Sequence, residues 1–280
     1  MASLEDILDS RRTRTPVIAG IVNVTPDSFS DAGQCFDPAT AVAHARKLVA
    51  DGADILDIGP ESTRPGSDRV SAAEQIARLN NVLPALRDCP ALVSIDTTLA
   101  EVARFAIANG ASIVNDVSAG RDDPQMLPLV ARSGCGYVMM HMLGQPKTMQ
   151  ADPHYLDVVA EVRDFLAARL DAASAAGVDR TRCIVDPGIG FGKKLDHNLA
   201  LLAGVGKLAE LGCPVMVGPS RKRFIGELTG QADASKRVGG TVGACLAAWW
   251  RGATIFRVHD VAELAQALKV AAAVDAAKSG

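Results

Sequence analysis

Polar side chains stand at or just after the ends of several apolar, β-branched-rich runs that lie far apart along the chain. They are amides, carboxylates, imidazoles and cationic groups: Asn23, Asp57, Asp96, Asn115, Asp116, His141, Asp186, Lys222, Arg257 and His259. A buried polar group needs a hydrogen-bond partner, so burying this many at one end of a sheet without a ligand would be costly. The pattern therefore predicts strands that converge on one ligand-binding pocket.

These side chains, with a few from nearby loops, divide into two chemical sets. One set offers an amide oxygen, a hydroxyl, two guanidiniums and an imidazole: Asn23, Thr63, Arg64, Arg257 and His259. Guanidinium forks fit phosphate oxygens, so this set suits a phosphate or diphosphate with Mg²⁺, Asn23 being the metal-binding amide. The second set suits a flat heterocycle with amide and amine edges, and two apolar residues can cover the ring's faces: Asp96, Asn115, Asp186 and Lys222, with Met140 and Phe191.

Other chemistries have little support in the sequence. No cluster of carboxylates predicts a dedicated metal cage, and no Ser/His/Asp or Cys/His arrangement predicts nucleophilic catalysis. His44, His154 and His197 are expected at surface or loop positions. The six cysteines lie far apart and lack a C-x-x-C or zinc-type spacing, so we expect them to be reduced and to act as small apolar side chains.

A repeating pattern of strands and helices must position these residues. Eight apolar runs alternate with segments of helical periodicity, at about 17–23, 54–59, 91–96, 112–117, 136–141, 183–187, 214–218 and 254–259. Asp37-Pro38 predicts a helix start, Gly52 the residue just past that helix, and Asn109-Gly110 the end of another. Because crossover helices return the chain to the same edge, the strands should be parallel. We predict an α/β fold, a single-domain (β/α)₈ TIM barrel, with a doubly wound open sheet as the alternative.

The longest irregular stretches are 25–36, 60–70 and 142–154, and each follows a predicted strand. In a barrel they lie on the C-terminal rim, where active sites are found. Their Gly, Pro and Ser content predicts mobile loops that close over a substrate.

The bulk properties exclude several classes of protein. The 280 residues have a net charge of −3 and scattered Lys and Arg, which argues against binding of nucleic acid or a membrane surface. The longest apolar stretch, Val242–Trp250, has nine residues and is too short to cross a bilayer. Residues 1–16 lack the apolar core of a signal peptide. We therefore expect a cytoplasmic protein with an N-terminal extension, 1–16, and a barrel domain, 17–280.

Several motifs resemble the bacterial dihydropteroate synthases, in the order that this family has them. They are Asn-Val-Thr-Pro-Asp-Ser-Phe-Ser from Asn23, Glu-Ser-Thr-Arg-Pro-Gly from Glu61, Ser-Ile-Asp-Thr from Ser94, Asn-Asp-Val-Ser from Asn115, Met-His-Met from Met140, Asp-Pro-Gly-Ile-Gly-Phe-Gly-Lys from Asp186, Ser-Arg-Lys from Ser220 and Arg-Val-His-Asp from Arg257. The resemblance extends from about Val17 to Lys278.

The resemblance implies a pterin-binding barrel that condenses p-aminobenzoate with 6-hydroxymethyl-7,8-dihydropterin diphosphate in folate synthesis. It implies that Asp96, Asn115, Asp186 and Lys222 bind the pterin, with Met140 and Phe191 packing on its ring, and that Asn23 binds Mg²⁺. The diphosphate would be held by Thr63, Arg64, Arg257 and His259. The p-aminobenzoate site, where sulfonamides would compete, would involve Phe29, Pro65, Arg221, Lys222 and Arg223. Catalysis would depend on Asp96, Lys222, Arg64, Arg257 and His259.

Two positions depart from the family pattern. Gly59-Pro60 replaces a common Gly-Gly, and a stiffer second loop is expected because proline fixes φ and lacks an N–H. Arg223 replaces a common Ser, and its charge should still attract the aminobenzoate carboxylate. Two other functions stay open: a methyltetrahydrofolate-binding methyltransferase barrel, and a non-catalytic pterin-binding paralogue. The resemblance also implies a homodimer, formed through the late helices that contain Trp249 and Trp250.

Overall fold

The strands form one parallel sheet that closes on itself. The computed structural model describes residues 3–9, 16–25, 37–62, 67–144 and 148–277. The strands are β1 (Val17–Asn23), β2 (Ile55–Gly59), β3 (Leu92–Asp96), β4 (Ile113–Asp116), β5 (Gly136–Met140), β6 (Cys183–Asp186), β7 (Met216–Val217) and β8 (Ile255–Val258). Their order is β6-β5-β4-β3-β2-β1-β8-β7, and a parallel bridge between Val185 and Val215 joins the two edges. The predicted (β/α)₈ barrel is confirmed.

Helices connect the strands and surround the barrel. They are α1 (Leu4–Leu8), α2 (Pro38–Ala50), α3 (Ala72–Leu79), α4 (Ala100–Ala108), α5 (Met126–Ser133), α6 (Val158–Ala175), α7 (Leu195–Ala203), α8 (Val205–Ala209), α9 (Arg223–Thr229), α10 (Val238–Trp249) and α11 (Val261–Ala277). The predicted cap of α2 is confirmed, because the Asp37 carboxylate accepts hydrogen bonds from the amides of Ala39 and Thr40 at 3.1 and 3.0 Å. None of the described helices has the length and apolar character needed to cross a membrane.

Side chains alternate between two apolar cores along each strand, as the period of two requires. On β2, Leu56 and Ile58 point outward into the large core between the sheet and the helices. Ile55 points inward and joins a smaller cluster with Ile113 and Ile255 from two other strands. The barrel is therefore packed on both faces of its sheet, which explains why the strands are apolar nearly throughout.

The N-terminal helix covers the lower end of the barrel. Ser3 caps α1 by accepting a hydrogen bond from the amide of Asp6 at 3.1 Å. Leu4, Ile7 and Leu8 then fall on one face of the helix and pack against the inward-facing apolar cluster. The barrel interior consequently has an apolar floor, above which the strands carry their polar residues.

β1 spans its predicted run, and the other seven strands are slightly shorter than theirs. The clearest case is β7, which spans Met216–Val217 rather than 214–218. Pro214 has no amide hydrogen to donate to a ladder, although its carbonyl accepts a hydrogen bond from Val185 at 3.0 Å. The five cysteines among the described residues are free, and four of them are buried.

Candidate active site

The site is formed by the inward-facing residues directly above the apolar floor. Ile55, Ile113 and Ile184 belong to the apolar floor, and the residue two positions after each of them lies on the same face of its strand and is polar. β3, β5 and β8 contribute further inward-facing side chains. Together these residues are Asp57, Ser94, Asp96, Asn115, Met140, Asp186 and Arg257. The polar members on β2, β3, β4 and β6 are buried, with 2–5% of their surface exposed. The predicted convergence of strand ends holds for these residues, whereas Asp116, the neighbour of Asn115 on β4, points to the opposite face and accepts hydrogen bonds from Ser118 Oγ at 2.7 Å and Tyr137 OH at 2.8 Å.

Arg257 links the acidic residues of this layer. Its Nε donates to Asp57 Oδ2 at 2.5 Å, and its NH2 group donates to Asp96 Oδ2 at 2.8 Å. Asn115 Nδ2 also donates to Asp57 Oδ2, at 3.1 Å, and Ser94 Oγ donates to Asp57 Oδ1 at 2.6 Å. The predicted diphosphate residue Arg257 and the predicted pterin residue Asn115 therefore share one carboxylate.

One carboxylate oxygen of Asp96 is buried without a hydrogen-bond partner in the described part of the chain. Among the described side chains, its Oδ1 is one of two buried polar atoms that make no hydrogen bond. Burial raises the pKa of Asp96 to about 7. The positive charge of Arg257 opposes this shift, and the negative charge of Asp57 adds to it. A buried acceptor without a partner, on a carboxyl that titrates near neutrality, is a group available to a ligand.

Asp186 and Lys222 face each other across the next part of the rim. Asp186 Oδ1 accepts a hydrogen bond from the amide of Gly188 at 2.7 Å, and burial raises the pKa of this carboxyl. Lys222 donates to the carbonyl oxygen of Ile189, and its Nζ lies 4.5 Å from the centroid of the Phe191 ring. Burial lowers the pKa of Lys222 to about 7, while Asp186 opposes that shift.

One wall of the pocket is apolar. Met140 forms a buried cluster with Val117, Met142 and Met149, and Phe191 packs against this cluster. Flexible thioether side chains beside an aromatic ring can cover the face of a flat ligand. The structure thus places the two predicted ring-covering residues, Met140 and Phe191, in one wall.

The loop after β6 lies directly against the end of β5. Gly188 has φ +66°, and a Cβ on this residue would lie 2.0 Å from the carbonyl oxygen of His141. Only glycine combines this left-handed conformation with so close an approach of two backbones. The close contact fixes the position of the loop that carries Ile189 and Phe191.

Lys193, for which the sequence predicts no role, holds the same loop in place through hydrogen bonds. Only 3% of its surface is exposed, and its Nζ donates to the carbonyl oxygens of Phe191 at 2.9 Å and His141 at 3.3 Å. The Nζ also lies 3.0 Å from His141 Nδ1. Burial, with the nearby charges of Lys193 and Arg121, lowers the pKa of His141 to about 3, so this imidazole is neutral.

His259 is oriented by a serine from the neighbouring strand end. Ser220 Oγ lies 2.9 Å from His259 Nδ1 and accepts a hydrogen bond from the His259 backbone amide at 3.2 Å. These two contacts with one hydroxyl fix the orientation of the imidazole ring. Ser220 is a second residue of the site that the sequence analysis named only as part of a motif.

The two arginines beside Lys222 make ion pairs with protein carboxylates. Arg221 has φ +58°, and its guanidinium binds Asp260 through Nε at 3.0 Å and through its NH2 group. Arg223 Nε donates to Glu227 Oε1 at 2.6 Å on the exposed face of α9. Their predicted role at p-aminobenzoate remains a prediction.

The loop after β2 is anchored at both ends. Glu61 accepts hydrogen bonds from the amide of Val70 at 3.2 Å and from Gln75 Nε2 at 2.8 Å, and Arg78 donates to the carbonyl of Pro60 at 2.8 Å. Pro60, which departs from the family pattern, is accommodated there with its carbonyl bonded. Four predicted site residues lie outside the described residues, namely Phe29, Thr63, Arg64 and Pro65.

Asn23 stands at the same rim and fits a magnesium ion that a substrate carries. A Cβ on Gly59 would lie 3.8 Å from Asn23 Oδ1 and 3.9 Å from Asp96 Cβ, so Gly59 lies between these two side chains. Within the described ranges, no group of three His, Cys, Asp or Glu side chains could hold a metal by itself. Mg²⁺ usually takes only one or two protein oxygens and completes its shell with phosphates and water. The amide oxygen of Asn23 is one oxygen of the kind that such a partly substrate-held ion needs.

Comparisons with known proteins agree with this arrangement. The profile of the family described as "Pterin binding enzyme" matches residues 19–259. The dihydropteroate synthase of Neisseria meningitidis serogroup B is 50% identical over 260 residues, which cover 91% of each chain. A structure of Xanthomonas albilineans dihydropteroate synthase with 4-aminobenzoic acid has a TM-score of 0.89 at 48% identity, covering 96% of this chain and 94% of that one. Another, in complex with 7,8-dihydropteroate, has a TM-score of 0.85 at 46% identity, covering 96% and 95%.

Proposed function

This chain belongs to the pterin binding enzyme family, and from that premise we propose that it is a dihydropteroate synthase. It condenses 6-hydroxymethyl-7,8-dihydropterin diphosphate with p-aminobenzoate to give 7,8-dihydropteroate and pyrophosphate. One observation carries the proposal: residues suited to a flat heterocycle and residues suited to an anion share one buried rim. The names of its relatives, and the ligands of the Xanthomonas albilineans structures, support it.

The pterin ring binds against Met140 and Phe191, with polar groups around its edge. Asn115 donates to Asp57, so its amide oxygen is left to accept a hydrogen bond from the ring. Asp186 and Asp96 accept hydrogen bonds from ring N–H and amino groups, and Lys222 donates to a ring acceptor. Asp96, Asn115 and Asp186 stand on strand ends and Lys222 directly precedes α9, so the ring site is largely preformed.

The diphosphate binds beside the ring, where Arg257 and His259 face it. Arg257 uses its Nε and one terminal nitrogen for Asp57 and Asp96, and a guanidinium has five N–H donors, so donors remain for phosphate oxygens. The Ser220 contact fixes the orientation of the His259 imidazole, which would bind a phosphate oxygen. Mg²⁺, bound through Asn23 and the diphosphate, would offset the negative charge of the leaving group.

We propose a dissociative, SN1-like path. The bond between the methylene carbon and the diphosphate oxygen breaks first, and the bonding electrons leave with pyrophosphate. The dihydropterin ring delocalises the positive charge, and the Asp96 carboxylate stabilises it electrostatically. The neutral amine of p-aminobenzoate then attacks the methylene carbon, and its proton passes to the released pyrophosphate. No protein nucleophile is needed, which is consistent with a site built of carboxylates, amides and cations.

A pyrophosphate-release assay tests the function. The expected result is release that depends on p-aminobenzoate for turnover and on Mg²⁺, with 7,8-dihydropteroate as the product. A protein that binds the hydroxymethyl pterin but never forms dihydropteroate would be the non-catalytic paralogue instead. A methyltetrahydrofolate-binding methyltransferase barrel would bind the reduced folate, and a diphosphate group on the pterin would not increase its affinity.

We further propose that the protein is a cytoplasmic homodimer that associates through α10 and α11. These helices border a groove lined by Leu246, Trp250, Val270, Ala271 and Val274. Trp250, Val270 and Val274 are 64%, 61% and 55% exposed, whereas Trp249 packs on the core. Exposed apolar residues in one groove are typical of an association surface. Light scattering should give twice the monomer mass, and Val270→Glu should give the monomer.

A further inference from the structure

The carboxylate of Asp57 holds side chains from three other strands. It is 2% exposed and accepts hydrogen bonds from Ser94 Oγ at 2.6 Å, Asn115 Nδ2 at 3.1 Å and Arg257 Nε at 2.5 Å. The partners stand on β3, β4 and β8, whereas Asp57 is on β2. β4 and β8 do not neighbour β2 in the sheet. Asp57 therefore connects parts of the barrel mouth that no backbone ladder joins.

These contacts determine which atoms of Asn115 face the pocket. An amide has one accepting oxygen and one donating nitrogen, and the nitrogen is bound to Asp57. The oxygen must then be directed elsewhere. Without the carboxylate, the amide could turn by half a rotation and present a donor where a ring N–H has to be accepted.

The same carboxylate determines how Arg257 is placed. Asp57 binds Nε on one side of the guanidinium, and Asp96 binds the NH2 group on the other side at 2.8 Å. The guanidinium plane is therefore held between two strands. Lone charged contacts leave a long side chain free to rotate, whereas two fixed carboxylates define the direction of the remaining N–H donors.

We propose that Asp57 is a positioning residue that aligns Asn115 for the pterin ring and Arg257 for the diphosphate, so that one carboxylate sets both halves of the substrate site. The inference rests on the proposed function, because it takes Asn115 and Arg257 to bind that substrate. Asp57 itself touches Ser94, Asn115 and Arg257, and its effect on the reaction passes through the latter two.

A double-mutant cycle tests this role, with calorimetry as the readout. The ligands are 6-hydroxymethyl-pterin, which contains the ring alone, and 6-hydroxymethyl-7,8-dihydropterin diphosphate. In the otherwise unaltered chain, Asp57→Asn should weaken binding of the ring at least tenfold and binding of the diphosphate compound at least a hundredfold. In an Asn115→Ala background, Asp57→Asn should weaken ring binding less than threefold, because the group that it aligns is already gone. A structural role alone would give equal losses in both backgrounds.

Asp54→Asn provides the matched control. Asp54 precedes β2, at the opposite end of the barrel, and its Oδ2 accepts a hydrogen bond from the amide of Ile18 at 2.9 Å. The two variants exchange the same groups three residues apart along one segment, so a general effect of losing a carboxylate appears in both. Asp54→Asn should leave both affinities within threefold of the unaltered chain.

Ser94→Ala keeps the proposal testable if Asp57→Asn does not fold. Ser94 lies beside Asp57 on the neighbouring strand and bonds to it, so its removal should weaken ring binding about threefold to tenfold in the unaltered chain and less than twofold after Asn115→Ala. Unchanged ring affinity in Ser94→Ala, or additive losses in either cycle, overturns the proposal. Failure of the unaltered chain to bind the pterin overturns the proposed function, and with it this inference. If the chain binds the pterin but does not turn over, the proposed function fails, and the double-mutant cycle still tests whether Asp57 positions Asn115.

Discussion

Replacing Asp96 by asparagine tests whether the site stabilises a cationic transition state. Asparagine preserves the size of the side chain, and its oxygen can still accept the hydrogen bond that Arg257 donates at 2.8 Å. What disappears is the negative charge beside the predicted position of the ring. The comparison therefore separates the electrostatic contribution of Asp96 from its role in binding.

The expected loss follows from Coulomb's law. A unit charge about 4 Å from a developing cation contributes about 4 kcal/mol at an effective dielectric constant of about 20. Arg257 offsets part of that charge, so we expect the barrier to rise by about 1.4–4 kcal/mol and kcat to fall roughly tenfold to a thousandfold. Binding of the bare hydroxymethyl pterin should change much less, because Asn115, Asp186 and Lys222 remain.

The dependence of activity on pH gives a second measure of the same charge. Burial raises the pKa of Asp96 to about 7, so the carboxylate fraction, and with it kcat/KM, should fall about tenfold for each pH unit below that value. Burial lowers the pKa of Lys222 to about 7, so loss of its proton should reduce kcat/KM at higher pH. The unaltered enzyme should show a maximum near neutrality, and Asp96→Asn should lack the acidic limb.

The assay is initial-rate pyrophosphate release at constant ionic strength, with dihydropteroate measured in parallel. A kcat loss below tenfold in Asp96→Asn would reduce Asp96 to a binding residue. Persistence of the acidic limb in that variant would assign the limb to another group. Single-turnover mixing without p-aminobenzoate tests the order of steps: pyrophosphate released before the amine is added supports the dissociative path, and a rate that rises steeply with amine nucleophilicity supports concerted displacement.

Three further substitutions probe other parts of the site. Asp186→Ala should weaken pterin binding by about 1–3 kcal/mol in calorimetry, because ring donors lose their acceptor, and unchanged affinity would remove Asp186 from the site. Arg257→Ala should weaken binding of the diphosphate substrate far more than of the hydroxymethyl pterin, whereas equal losses would contradict an anion-binding role. It should also lower the free energy of unfolding by about 3–5 kcal/mol, measured in urea, because two buried carboxylates lose their cation. Gly188→Ala should lower both thermal stability and pterin affinity, since its Cβ would collide with the His141 carbonyl, and a wild-type Tm would contradict the tight backbone contact.

The barrel and the strand-end residues could be predicted because they depend on local patterns. Apolar runs of strand length, alternating with capped helices, already imply parallel strands, and a polar residue at the end of such a run must lie at the rim. Asp96, Asn115 and Asp186 are found there for that reason. Asp37 caps its helix for an equally local reason, since its side chain reaches amides two and three residues ahead.

The roles of Asp57 and Lys193 could not be predicted, because they depend on the register of distant strands. Asp57 was recognised as a strand-end carboxylate, but its partners are set by how the barrel closes. Lys193 follows a glycine-rich loop, where a lysine is expected to be exposed. The loop folds back, however, and buries this side chain. The sequence does contain a pattern that predicts α1 and its apolar face, because Leu4, Ile7 and Leu8 have helical spacing after a capping serine.

The ion pairs of Arg257 also bear on how the chain assembles. Its partners Asp57 and Asp96 lie 200 and 161 residues earlier, so these contacts form only when the last strand docks beside the first. Before β8 is made, a collapsed partial barrel would bury the carboxylates of Asp57 and Asp96 without a counterion. Burying unpaired charges is costly, so such a partial barrel is disfavoured. Such long sequence separations slow folding but make closure cooperative. Chains interrupted during translation before β8 should therefore stay expanded and accessible to proteases, so that only complete chains become resistant to degradation.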